Sequence, residues 1–307
     1  IDLPIQREKT TGYPIVQGSG IKGALRQQYP GGKDDINKAV VFGPDDQPDH
    51  GGAIAVGDAR ILAFPVRSLK GVMAWVTCRD VLARFVRDAA QLQPPLLPGV
   101  APQPQADHTQ AYASSEDVIL NDGSIVLEDY LYRQVPYTFA IGVLNGELRE
   151  DLPYPDDQTG QPRLITEVWA DWLALNALPQ SSSYQNYYHS AFARRFVILP
   201  DDDFRDFVLY STEVTTRIKL NRDTKTVEGT ALFTMEALPA DSLLYVPIIT
   251  HKPRIQRDKL TGSEFHAGST DEDVLRWLRS NNPSRIQIGG DETVGYGQVA
   301  LRWGGIA

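Results

Sequence analysis

The stretch AIAVGDARILAFPV, residues 53–66, is rich in β-branched and aromatic residues and is punctuated by a Gly-Asp pair. Such a run reads as strand rather than helix. The same reading applies to EDVIL (116–120), FVILP (196–200), FVLYSTEVTTRIKL (207–220), ALFTMEAL (231–238), SLLYVPII (242–249), RIQIGG (285–290) and GYGQVALRW (295–303). Helical spacing is confined to about 19–28, 79–90, 166–177 and 271–280. In the second of these Leu82, Phe85, Val86 and Ala89 share a face. The last has Thr270 as its N-cap and Pro283 just beyond its end. Scattered helices among irregularly spaced strands predict an α+β fold with a largely antiparallel sheet.

At 307 residues and 42% hydrophobic, the chain has ample material for a packed core. We read it as a single domain, 1–307, with insertions. Residues 92–106, LQPPLLPGVAPQPQA, form a proline-rich connector. One cysteine, Cys78, excludes an internal disulfide framework and any cysteine-based zinc site. No apolar run approaches the roughly 20 residues of a membrane span, and no signal segment opens the chain. The expected place is the cytoplasm, with no membrane partner. The chain starts at Ile1 without methionine, so a first strand is expected to be missing ahead of it.

A net charge of -9 excludes a generally basic, nucleic-acid-coating surface but leaves room for a local basic groove. Three stretches could form one. In GSGIKGALRQQY (18–29), Ser19 reads as an N-cap, the glycines let a backbone approach an anion, and Lys22 and Arg26 are an i,i+4 pair. A phosphate cradle and a capped surface helix remain open on this stretch alone. SGIKGALR also has a short echo in RSLKGVMAW (67–75), which places Arg67 and Lys70 beside a second turn or helix start. In TTRIKLNRDTKTVEGTALF (215–233), Arg217 and Lys219 alternate with Ile218 and Leu220. That pattern suggests a projecting hairpin with one basic and one apolar side, or an ordinary protected edge. IGGDETVGYGQV (288–299) is a glycine-rich turn carrying Gly290, Gly295 and Gly297. The five histidines show no metal-ligand spacing such as H-E-x-x-H.

DLPIQREKTTGYPIVQGSGIKGALR, VGDARILAFPVRSLKGVMAWVT, ALFTMEALP and QIGGDETVGYGQV, in that order, resemble the RAMP superfamily of CRISPR-associated proteins. The likeness is greatest to the backbone subunit of type III-B (Cmr) effector complexes. It implies an RRM-like, ferredoxin-type core with a thumb hairpin at 214–236, and copies stacked along a guide RNA with the other subunits. By the same resemblance Ser19, Lys22 and Arg26 contact the guide's phosphates; Arg67, Lys70, Arg217 and Lys219, Gln6 and Arg7 beside Asp2, and Gly290, Gly295 and Gly297 of the glycine loop are further RNA-contact candidates. The glycine loop is the superfamily's hallmark.

The resemblance also implies that the bound target single-stranded RNA is cut by attack of its own 2′-hydroxyl, with a divalent metal, Mg or Mn, as cofactor. Asp2, just ahead of PIQRE, takes the catalytic position and is a metal-ligand candidate. Glu236 is a second acidic candidate. Two alternatives stand beside this reading. One is a guide-RNA-binding scaffold that does not cut. The other is a sugar- or nucleotide-phosphate enzyme that uses the Gly/Lys loop.

Overall fold

The computed structural model describes residues 1–32, 34–44, 50–90, 108–135, 142–144, 147–149, 164–180, 185–220, 227–255 and 260–304. The proline-rich connector lies outside them. In chain order the elements are β1 (Ile15–Val16), α1 (Gly18–Gln28), α2 (Ile36–Phe42), β2 (Ile54–Val56), β3 (Ala59–Ser68), β4 (Val72–Cys78) and α3 (Arg79–Ala89). Next come β5 (Gln110–Ala113), β6 (Ser124–Leu127), β7 (Tyr130–Gln134), β8 (Gly142–Leu144), β9 (Glu147–Arg149), α4 (Ile165–Asn176), α5 (Ser190–Arg194), β10 (Phe196–Leu199) and α6 (Asp201–Tyr210). The remainder carries β11 (Glu213–Leu220), β12 (Val227–Ala237), β13 (Leu243–Tyr245), β14 (Ile248–Thr250), α7 (Asp271–Ser280), β15 (Arg285–Gln287) and β16 (Gln298–Ala300).

Two compact units share these elements. The first comprises Ile1–Ile15, Arg60–Tyr245 and Gly304–Ala307, and the second Val16–Ala59 and Val246–Trp303.

In the first unit six strands run in the order β3-β4-β10-β5-β7-β6, and β6 returns to β3 through Ser68 and Leu127. The Glu128 N–H donates to the Arg67 carbonyl at 2.9 Å and the Leu69 N–H to the Val126 carbonyl at 3.1 Å, so the ring is closed by real hydrogen bonds. Closure removes the free edges that an open sheet would expose. Only β4–β10 and β5–β7 are parallel; the other pairs are antiparallel, as expected. Each of the adjacent parallel strands β4 and β10 leads into a helix, α3 and α6 respectively.

β3 is buried almost continuously from Ile61 to Val66, the pattern of a strand covered on both faces. Helix α3 lays most of the predicted stripe on the core, with Leu82 in it and Phe85 and Val86 packed against it, and Ala89 is also buried. Trp169 of α4 is fully buried in the same core.

The start of FVLYSTEVTTRIKL is helix, not strand. Pro200 precedes α6, Asp201, Asp202 and Asp203 fill its positively polarised first turn, and Phe204, Phe207 and Val208 bury at helical spacing. EDVIL begins as a single 3₁₀ turn, Glu116–Val118, whose start is capped by Ser115. RSLKG opens no helix: Lys70 and Gly71 form the tip of the β3–β4 hairpin, with Gly71 at φ +82°. The echo of SGIKGALR is therefore one of letters, since one copy is a helix and the other a turn.

The second unit builds a smaller core around Tyr29. Its ring stacks on Trp277 at 5.4 Å, and its hydroxyl donates to the Leu278 carbonyl at 2.8 Å. Helix α7 starts as expected at Thr270. The Asp273 N–H donates to the Thr270 hydroxyl at 3.3 Å, and the Asp273 carboxylate accepts from the Thr270 N–H at 2.9 Å. β2 pairs with β14 and β15 with β16. Among the described residues no helix is long and apolar enough to cross a membrane.

Candidate active site and nucleic-acid interface

In the first unit β11 and β12 form a two-stranded antiparallel hairpin with Thr216 opposite Thr234 and Ile218 opposite Leu232. The chain start joins it as a short third strand. The Leu3 N–H donates to the Thr234 carbonyl at 3.0 Å, the Glu236 N–H donates to the Leu3 carbonyl at 2.9 Å, and Leu3 bridges Met235 in parallel. This augmentation carries the exposed Asp2 to the root of the hairpin. Its carboxylate Oδ2 accepts from the Thr234 N–H at 2.7 Å and from the Thr234 hydroxyl at 2.9 Å. Those two bonds, the backbone one first, hold the Asp2 carboxyl below the usual carboxylate value. Asp2 is thus ionised near neutral pH.

Arg7 of the PIQRE motif turns inward. Arg7 pairs with Glu236 at 2.5 Å, the Glu236 side chain being only 3% exposed, and also donates to the carbonyls of Val208 at 2.8 Å and Gly12 at 3.1 Å. Glu236 further accepts from the Thr212 hydroxyl at 2.8 Å and the Ile5 N–H at 3.0 Å. Burial pushes its carboxyl up, but the Thr212, Arg7 and Ile5 bonds outweigh it and hold it below the usual value. The pair is built as a clamp between the chain start and the hairpin. The Gln6 backbone carbonyl accepts from the Ile15 N–H at 3.0 Å. Glu8 holds Arg84 at 2.6 Å and the Thr11 hydroxyl at 2.7 Å, fixing the turn that follows.

In the second unit α1 begins at Gly18, one residue before the predicted start, and its N-cap is Gln17 rather than Ser19. The Gly18 N–H donates to the Asp58 carboxylate at 2.8 Å, so a side chain already satisfies the first exposed amide. Ile21 and Leu25 bury, as their spacing required. Lys22 and Arg26 share a face and sense one another: burial first, and Arg26 second, lower the Lys22 pKa. The Lys22 ammonium donates to the Ile54 carbonyl at 3.3 Å, and Arg26 to the Gly43 carbonyl. The Gly18–Asp58 bond shifts the helix start while the cationic pair survives.

Of the other basic candidates, Arg67 pairs with Glu128 at 3.2 Å and Asp129 at 3.6 Å. Lys70 closes its hairpin on the 3₁₀ turn by donating to the carbonyls of Glu116 at 2.7 Å and Ile119 at 2.6 Å. Both lie in the first unit, as does Arg217, half-buried on β11 opposite Phe233. Lys219 falls in β11, and its side chain is outside the described set. On the opposite face of the hairpin Ile218 and Leu232 are paired and exposed, so the apolar side is the solvent side.

The glycine-rich turn lies between β15 and β16 in the second unit. Gly295 at φ +90° and Gly297 at φ +72° occupy the left-handed region, and a side chain at Gly297 would collide with the Ile288 carbonyl. Gly290 has neither constraint. Among the described residues no three His, Cys, Asp or Glu side chains are placed to hold a metal ion. In the Asp2 carboxylate one oxygen, Oδ1, has no hydrogen bond among the described residues, which fits a cation held mostly by phosphate oxygens and water.

Thr234, which holds the Asp2 carboxylate, is the residue that sequence reasoning passed over. It sat inside ALFTMEAL as an ordinary strand position, and nothing local connects it to a residue 232 positions earlier.

The family profile described as the RAMP superfamily matches residues 1–300. A Pyrococcus furiosus protein named CRISPR system Cmr endoribonuclease Cmr4 is 34% identical over 98% of this chain and 87% of its own. The CRISPR system CMR subunit Cmr4 of Saccharolobus solfataricus is 27% identical over 99% and 89%. The crystal structure of oligomeric Cmr4 from P. furiosus superposes with a TM-score of 0.63 at 29% identity, covering 98% of this chain and 90% of that one. A cryo-EM structure of the type III-B Cmr-beta complex bound to cognate target RNA contains a chain with the same fold, at a TM-score of 0.59 and 19% identity over 98% and 87%. The ordered motifs, the mixed α+β fold and this near full-length likeness agree: the chain belongs to the RAMP superfamily.

Proposed function

We propose that the protein is the backbone subunit of a type III-B CRISPR ribonucleoprotein that binds a guide RNA along its phosphates, stacks with copies of itself and with the other subunits, and cuts guide-paired target RNA. The observation that carries the cutting role is Asp2, exposed yet fixed by Thr234 at the root of a projecting hairpin. Guide pairing supplies sequence specificity, while the protein reads backbone and duplex shape. Lys22 and Arg26 are the guide-phosphate contacts, and RNA exchanges for the two carbonyls they now hold. The hairpin 214–236 is the thumb. Its exposed Ile218–Leu232 pair wedges beside a target base and frees the sugar from A-form geometry, which forbids in-line attack.

The target's 2′-oxygen then bonds to the adjacent phosphorus, the 5′-oxygen leaves and takes a proton from water, and a cyclic phosphate remains. Asp2, ionised, accepts the hydrogen bond of the attacking 2′-hydroxyl and receives its proton. A divalent ion, Mg or Mn, held by Asp2 and RNA oxygens would stabilise charge on the phosphorane.

The RRM-like core is supported by the strand order β3-β4-β10-β5, with a helix after each of the two central parallel strands. We take both compact units to belong to one RAMP domain acting in the cytoplasm. The test is Asp2→Asn in the reconstituted complex. Target cutting should fall about 10²–10⁴-fold while target binding persists, and cutting at the wild-type rate would leave Asp2 without a role. A non-cutting scaffold predicts intact target with wild-type complex in Mg or Mn.

A further inference from the structure

Among the described residues, the hydrogen bonds of Asp2 are all made with Thr234. The Asp2 N–H donates to both the carbonyl and the hydroxyl of Thr234, at 3.2 and 3.0 Å, while that hydroxyl donates back to Asp2 Oδ2 at 2.9 Å and the Thr234 N–H reaches the same oxygen at 2.7 Å. The hydroxyl therefore grips Asp2 at its backbone and its side chain together, fixing the torsions between them. Two donors occupy Oδ2, whereas Oδ1 has no hydrogen bond among the described residues. A carboxylate on an exposed chain segment would otherwise rotate freely, exchanging its oxygens and its lone-pair directions.

We propose that Thr234 is a positioning residue for target cleavage: its hydroxyl and amide tie down Oδ2 and present Oδ1 to the RNA. This rests on the reading of Asp2 as the cutting carboxylate. The backbone bond survives substitution by Val or Ser, so these variants change only the hydroxyl's share. Thr234 is half-buried near the C-terminal end of β12, where Val is a good isostere for the strand. The hairpin and the Leu3–Met235 bridge do not depend on the hydroxyl, so RNA binding should not either.

The experiment compares Thr234→Val, Thr234→Ser and Asp2→Asn in the assembled ribonucleoprotein, by single-turnover cleavage over a range of complex concentrations. Thr234→Val should lower the maximal rate on the order of ten- to a hundredfold without changing the concentration at half-maximal rate. Thr234→Ser, which restores a hydroxyl, should recover most of that rate. A wild-type rate in Thr234→Val, or equal losses in the Val and Ser variants, would overturn the positioning role while Asp2→Asn remained inactive. A fully active Asp2→Asn variant would instead remove the reading of Asp2 on which the inference stands.

Discussion

The hairpin root and the start of α1 are built from the same materials, carboxylates beside backbone amides and cations, with opposite results. At the root, the buried Glu236 takes the arginine and leaves Asp2 exposed and charged. At α1, Asp58 occupies the first amide, and the cations Lys22 and Arg26 rest on carbonyls. A neutral carbonyl holds a cation far less firmly than a buried carboxylate does. Arg7 is consequently committed to structure, while Lys22 can be exchanged onto a phosphate.

The largest effect expected from this contrast is at Asp2. Asp2→Ala should abolish regular cutting, a loss of about a thousandfold, with unchanged thermal melting, because the side chain is exposed. Arg7→Ala should do the reverse first and lower stability by about 3 kcal/mol, since it strands a buried carboxylate. Chemical denaturation measures this, and a change under 1 kcal/mol would mean that the clamp behaves as a surface pair.

The clamp also carries a pH signature. The Glu236 carboxyl is held below its ordinary 4.5, so its stabilising share is complete above about that pH and is lost as pH falls through the folded value. Denaturation midpoints from pH 7 to 3 should show that loss in wild type and a shallower fall in Glu236→Gln. Equal slopes would remove Glu236 from the acid response.

On the other side of the comparison, Lys22→Ala and Arg26→Ala should each weaken RNA binding at all sequences alike. Each should reduce the logarithmic salt slope by about one, read from binding at several salt concentrations. An unchanged slope in the double variant would show that the carbonyl bonds, not RNA, are their purpose. The smallest effect belongs to Asp58→Ala, which should cost about 1 kcal/mol through the start of α1.

The sequence made local features legible and left non-local ones hidden. The helix at 271–280 was bounded correctly because Thr270, Asp273 and the apolar stripe are all local signals. The Lys22–Arg26 pair and the hairpin were legible for the same reason of short-range spacing. Ser19 failed as an N-cap because Asp58, forty positions away, captures the Gly18 amide and moves the helix start. Phe207–Tyr210 was read as strand because its apolar run is uninterrupted, and only the Asp201–Asp203 turn and the burial of Phe204 assign it to a helix. The motif resemblance singles out Asp2, but its hydrogen bonds to Thr234 and the inward commitment of Arg7 depend on the chain start joining β12. No window of neighbouring residues contains that contact.

The closed ring of the first unit has one further consequence, for the order in which the molecule is made. β10 is the last of the six strands in the chain, yet it sits between β4 and β5, both of which are synthesised well before it. Until Phe196–Leu199 emerges, β4 and β5 have a gap where their shared neighbour belongs, and each exposes an unpaired apolar edge. Folding must therefore be slow and dominated by long sequence separations. The nascent chain is most exposed to mispairing just before its sixth strand arrives to complete the hoop.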